Sequence, residues 1–222
     1  MRARPGPAFA LAALLAAAAA GGEPAQTGVV RGRVELGVAG ARMADLGPFV
    51  AYLDAPEEGS RLDFAVPVAV PEMRQSGARF QPRLLVVTRG QRVALPNDDA
   101  IYHNVFSFSQ PNAFDLGLYP QGESRSVVLR HPGVVRTYCS IHESMSGTIL
   151  VAPSPWHAIA DASGAFEIRG VPSGRYRLWV WNDRLPRVVR RVRVDAGEVA
   201  TLVVAVGAEQ EPQATPASAG RP

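Results

Sequence analysis

The sequence has one cysteine, four histidines and no lysine in 222 residues. A single thiol excludes an intramolecular disulfide, a cysteine-rich structural zinc site and a cysteine-ligated iron–sulfur cluster. It equally excludes a two-copper centre bridged by two cysteines. Aromatic residues make up only 7% of the chain. No apolar run reaches the roughly 20 residues that span a bilayer. All 23 basic residues are arginine, set against 20 acidic ones for a formal charge of +3. The two signs are interspersed, and no block of one sign is long enough to track a phosphate backbone. Nucleic-acid binding is therefore not expected.

What the chain does have is apolar content, 47%, enough for a packed core, together with 21 glycines and 19 prolines as punctuation. Arg2 and Arg4 precede an apolar stretch from Ala8 to Ala20, followed by small residues at Gly21 and Gly22. This is the pattern of a cleaved export signal over residues 1–22, and it places the mature chain in a periplasm, without a membrane span. Removing its two arginines brings the charge from +3 to +1, so the basic excess says little about partners.

Nearly every periodic segment of the remainder reads as a strand. Val29–Val34, Phe49–Leu53, Leu84–Val87, Val93–Leu95, Val105–Phe108 and Val127–Leu129 are short and rich in Val, Leu or Phe. Val134–Tyr138, Thr148–Val151, Phe166–Ile168, Tyr176–Trp181, Val188–Val194 and Val199–Val206 continue the series. Turn residues separate them at short intervals, which predicts an all-β chain of sandwiches. The segment from Gly207 on lacks core-forming residues and reads as a disordered tail over 207–222.

The lone cysteine stands in Tyr138-Cys139-Ser140-Ile141-His142-Glu143-Ser144-Met145. Alternation along the preceding strand puts Cys139 on the face opposite Tyr138. His142 and Met145 follow at intervals of three, before a strand resumes at Thr148. Such a loop can turn a thiolate, an imidazole and a thioether toward one point. His103, in the upstream loop from Pro96 to Phe106, offers a second imidazole. Taken singly, a buried Cys, a core Met and a solvated loop His are ordinary residues. Together, two imidazoles and a thiolate with a weak axial thioether form the copper site of electron transfer. The thiolate stabilises Cu(I), imidazole is acceptable to both oxidation states, and the thioether helps set the potential.

Three stretches then resemble a known family, the cupredoxins: Gly90-Gln91-Arg92-Val93-Ala94-Leu95-Pro96-Asn97-Asp98, His103-Asn104-Val105, and Pro132-Gly133 leading to Tyr138-Cys139-Ser140-Ile141-His142. They are most similar to the plastocyanin and amicyanin types. The short Cys-x-x-His-x-x-Met loop is nearer amicyanin. The resemblance covers about residues 72–152 and implies a Greek-key β-sandwich holding one type 1 (blue) copper ion. Its ligands would be His103, Cys139, His142 and Met145, and Asn104 would tie the two ligand loops together by a hydrogen bond near Ser140.

Asp161 to Leu178 resembles the second half of a carboxypeptidase regulatory-like, prealbumin-like sandwich. Val30–Val34 and Phe49–Leu53 would supply its first half, with Glu35 to Leu46 where an Asp-Gly-x-Pro turn would usually stand. This organisation implies a split sandwich of residues 28–56 and 157–206 interrupted by the cupredoxin unit. The whole resembles exported proteins of the methylamine-utilisation or plastocyanin-like type, in which Phe114–Tyr119 also finds a counterpart. That label carries no implication that amines are handled.

The leading expectation is a periplasmic blue-copper electron carrier serving a redox partner protein such as a cytochrome c or a dehydrogenase. Two alternatives stay open: a copper-binding or delivery protein without redox turnover, and a structural β-module with a vestigial site. Enzymatic activity is not expected, because four histidines with two already used cannot assemble a further multi-histidine copper centre. His131 and His157 read as surface or packing residues, and Asp98-Asp99 as turn formers. Arg187, Arg190, Arg191 and Arg193 read as a solvated strand face, or more sharply as a docking patch for an acidic partner. The sequence sets no oligomeric state.

Overall fold

A computed structural model of the chain describes residues 26–207, apart from 39, 58 and 60. The expected signal segment 1–22 and the expected tail from 208 onward lie outside these residues. The N-terminal part forms β1 (Thr27–Leu36), a single helical turn α1 (Met43–Leu46) and β2 (Val50–Asp54). The middle forms β3 (Arg74–Gln75), β4 (Phe80–Gln81), β5 (Leu84–Thr88), β6 (Arg92–Pro96), β7 (His103–Ser107), β8 (Phe114–Tyr119), β9 (Ser124–Val128), β10 (Gly133–Tyr138) and β11 (Ser146–Ala152). The last part forms β12 (His157–Ile159), β13 (Ala165–Pro172), β14 (Gly174–Trp181), β15 (Val188–Val194) and β16 (Val199–Val206). The described chain is all-β, as its alternating Val-rich segments require.

Two sheets, ordered β13–β1–β16 and β12–β2–β14–β15, close on one core that includes Val30, Val34, Leu53, Ile168, Leu178 and Val204. Strand β1 alternates buried Val30, Gly32 and Val34 with exposed Arg31, Arg33 and Glu35. Gly32 stands opposite Phe166, and a Cβ there would lie 2.3 Å from the Phe166 ring. The aromatic ring thus occupies the side-chain position that the glycine leaves vacant.

The second core lies between the five-stranded sheet β5–β11–β10–β7–β8 and a layer made of β6–β9 with the β3–β4 hairpin. The hairpin joins β6 through Met73 N, which donates to Ala94 O at 2.9 Å. Met73, Phe80, Val93, Leu95, Val105, Val135 and Ile149 fill this core. Tyr119 is buried among them, donating from its hydroxyl to Leu95 O (2.7 Å) and accepting from Gln75 Nε2 (2.5 Å). Burial pushes that hydroxyl up to about 12.

A third apolar layer joins the two cores. Val50 and Tyr52 of β2 and Trp181 of β14 pack on Leu150 and Ala152 of β11. Ala51 and Leu53 of β2 meanwhile face the first core, and Ile149 and Val151 of β11 face the second. This is why Phe49–Leu53 and Ile149–Ala152 read as unbroken apolar runs: a strand buried on both faces has no polar side to alternate. The described chain is therefore a stack of four β-layers.

Arg136 of β10 spans the seam, donating from Nη1 to Asp183 Oδ2 at 2.9 Å and to Thr148 Oγ1 at 2.7 Å. The hydrogen bonds from Arg136 hold the Asp183 carboxyl below its ordinary value. A carboxyl with a depressed folded pKa stabilises the fold above the unfolded value of about 3.9 and loses that contribution as pH falls through the folded value. Both side chains are about two-fifths exposed, which limits the pair to under about 1 kcal/mol. Asp183→Asn is expected to lower the melting temperature slightly at pH 7, by a margin that shrinks between pH 7 and pH 2. Melting both proteins at the two pH values checks this.

Candidate metal centre

Along β10, Val135 and Thr137 are buried while Tyr138 is exposed. Cys139, the next residue, continues the inward face at the first position beyond the strand and is buried. The chain then turns tightly: Met145 N donates to His142 O (2.9 Å) and Cys139 N to Met145 O (3.3 Å), so the 139–145 loop closes on itself before β11 begins. His103 is the first residue of β7, fully buried and paired across from Tyr119. The Cys139 thiol and both imidazoles meet at one end of the second core.

Cys139 Sγ lies 3.7 Å from His103 Nδ1 and 3.8 Å from His142 Nδ1. All three donor atoms fall within 4.8 Å of one another. The two rings stand edge to face, 4.8 Å between centroids. Among the described residues this is the group of three His, Cys or carboxylate side chains that comes close enough to hold an ion. Cys139 and His103 are buried, whereas His142 is half-buried beside exposed Ile141 and Glu143. Met145 is buried in the same core as Cys139. A soft thiol flanked by two imidazole nitrogens, with no carboxylate oxygen in the trio and a thioether on the same loop, fits copper by its donor chemistry.

Asn104 is buried, and its Oδ1 accepts from both Ser140 N (2.7 Å) and Ser140 Oγ (2.8 Å). This bond joins the strand that carries His103 to the loop that carries Cys139 and His142. The other two histidines are elsewhere. His131 is an exposed turn residue whose carbonyl accepts from Asn112 (2.7 Å). His157 lies on β12 across from Tyr52, and burial lowers its pKa. Of the arginine group, Arg193 pairs with Asp195 (2.9 Å) and the Arg187 guanidinium covers the Trp179 ring at 4.4 Å.

The reading of Asp98-Asp99 as mere turn formers needs correction. Arg74 grips the Asp98 carboxylate with two hydrogen bonds of 2.7 Å. Asp99 Oδ2 lies 2.8 Å from His103 Nε2 and also accepts from Ala78 N (2.8 Å), while its Oδ1 accepts from Gly77 N (2.6 Å). Burial alone would raise the Asp99 carboxyl. The amide hydrogen bonds from Ala78 and Gly77, followed by the contact with His103, outweigh it and hold the group below the usual carboxylate value. The sequence signal was the acidic residue four positions before a candidate ligand. Its amide partners, some twenty residues upstream, leave no local trace.

No family model matches the chain, and no curated protein matches it. Among solved structures it is similar to a purple cupredoxin from Nitrosopumilus maritimus, at 24% identity, covering 37% of this chain and 99% of that one, with a TM-score of 0.34. An amicyanin from Paracoccus versutus is 19% identical over 39% of this chain and 84% of its own, with a TM-score of 0.35. A copper-containing nitrite reductase from Thermus scotoductus is 20% identical over 55% of this chain and 28% of its own, with a TM-score of 0.38. Likeness at this level leaves the chemistry of the site to its own geometry.

Proposed function

We propose that the chain is an exported, cupredoxin-like type 1 copper protein that carries single electrons between redox partner proteins, and that it is not an enzyme. The observation that carries this reading is the buried Cys139 thiol set between the Nδ1 atoms of His103 and His142. When bound, one copper ion would supply a one-electron couple. Cys139 would supply the soft thiolate, and His103 and His142 the two imidazoles. Met145 would add a weak thioether donor, and the Asn104–Ser140 bond holds the two ligand segments in register.

His142 is the most exposed of the three proposed donors and is the route assigned to the electron. Exposed Ile101, Tyr102 and Ile141, which flank the two histidines in sequence, give a partner such as a cytochrome c or a dehydrogenase an apolar surface for brief contact. The domain reading goes with this function. Residues 72–152 form the copper unit, inserted between the halves 28–56 and 157–206 of a carboxypeptidase regulatory-like sandwich. Its support is that one core draws on strands before and after the insertion and the other on strands within it. Residence in the periplasm rests on Arg2, Arg4 and the Ala8–Ala20 run.

The test is to load the purified chain with Cu(II), record its visible spectrum, and repeat with Cys139→Ser. An intense thiolate charge-transfer band, absent from the variant, is the expected result, with reversible one-electron voltammetry. Tight but colourless binding would replace the carrier with a delivery protein. Failure to bind copper would leave a structural module.

A further inference from the structure

We infer that Asp99 is the positioning residue for His103, and that the turn of the β3–β4 hairpin is the clamp that holds it in place. The inference rests on the copper reading, because that reading is what commits His103 Nδ1 to a metal. A ligating nitrogen carries no hydrogen, so the ring proton sits on Nε2, which lies 2.8 Å from Asp99 Oδ2 and donates to it. A carboxylate in that place fixes the tautomer and the rotation of the ring, and makes Nδ1 the stronger donor.

Asp99 is free to do this because a neighbour makes the local turn. Asp99 N donates to Asn97 Oδ1 (3.0 Å), so the Asx turn belongs to Asn97 and the Asp99 carboxylate stays available. The carboxylate is then fixed from outside its own loop. Gly77 and Ala78 have φ of +62° and +51°, the paired left-handed residues of a two-residue hairpin turn, and Ser76 N donates to Arg79 O (3.0 Å) across it. Ala78 is the one non-glycine residue with positive φ among the described residues. An L residue adopts that conformation only against the steric crowding of its Cβ. The turn presents two successive amides to one carboxylate, an arrangement that binds anions.

The hairpin is in turn pinned to the loop it serves. Asp98 N donates to Gln75 O (2.9 Å), and Arg74 holds the Asp98 carboxylate. Buried Gln75 reaches the Tyr119 hydroxyl, and Tyr119 pairs with His103 across β7 and β8. His103 is thus held at its ring by Asp99 and along its backbone by the strand that Gln75 supports.

The first test needs no metal. In ¹⁵N NMR of the copper-free chain, His103 is expected as the Nε2–H tautomer with a slowly exchanging proton, and Asp99→Ala is expected to give a mixture of tautomers. A His103 with its proton on Nδ1 in the unsubstituted chain would overturn the inference. The second test uses the copper-loaded protein. Asp99→Asn is expected to weaken Cu(II) relative to Cu(I) by about tenfold, a rise in potential of about 59 mV for one electron. Ala78→Gly keeps both amides and is expected to leave the potential where it was. A folded Asp99→Asn protein with unchanged potential sinks the inference. If the unsubstituted chain binds no copper, the proposed function fails, and the tautomer of His103 alone decides whether Asp99 positions the ring.

Discussion

Asn104→Ala is expected to loosen copper retention by 10–100-fold while leaving the three proposed donors His103, Cys139 and His142 in the sequence. Asn104 Oδ1 takes two hydrogen bonds from Ser140, one from the backbone amide and one from the hydroxyl. Alanine removes the acceptor and leaves both Ser140 donors without their partner. It also unties the segment carrying His103 from the loop carrying Cys139 and His142. Ser140→Ala deletes only the hydroxyl and keeps the amide bond, so its effect should be several-fold smaller. Copper dissociation rates and the melting of the copper-free proteins measure both. Equal retention in Asn104→Ala and the unsubstituted protein would mean that the bond orients nothing.

The second large effect is expected at the seam. Leu150 is buried between β11 and the Trp181 side of the four-stranded sheet. Leu150→Ala should cost about 2–5 kcal/mol, the usual range for a buried leucine that leaves a cavity. In a domain of this size that is a fall in melting temperature of roughly 4–20 °C. The same strand lines the second core through Ile149 and Val151, so the loss should fall on both sandwiches and shift one cooperative transition. Calorimetry resolving two transitions, one of them unmoved, would show that the seam does not couple the two units.

The strands that the sequence made legible are those with a repeated apolar signature, such as Val30 and Val34 in β1 or Tyr176, Leu178 and Val180 in β14. Those that escaped it have no signature to read. Strands β3 and β4 are Arg74-Gln75 and Phe80-Gln81, two residues each, and they exist because Met73 and Gln75 are held against β6 from outside. Strand β8 carries Asp115 and Gly117, residues that favour turns, and becomes a strand by pairing with β7. The convergence of His103, Cys139 and His142 followed from residue type and spacing. Asp99 did not, since its role depends on two amides brought in by a hairpin that propensity does not announce. The seam went unread: Phe49–Leu53 and Thr148–Val151 register only as strands, and nothing in them names what covers their second face.

The topology also sets an order of events. Val30 pairs with Ile168 on one side and Ala200 on the other, so β1 has no sheet neighbour until the last strands of the chain exist. Every pair among β3 to β11 closes within residues 74–152. Shorter loops close at lower entropic cost and therefore sooner. In a chain that emerges N-terminus first, the inner sandwich can be complete while the outer one is still waiting for its final strands. Until they arrive, the outward apolar face of β11 stands open as a preformed wall, and the last part of the chain folds against a template already in place.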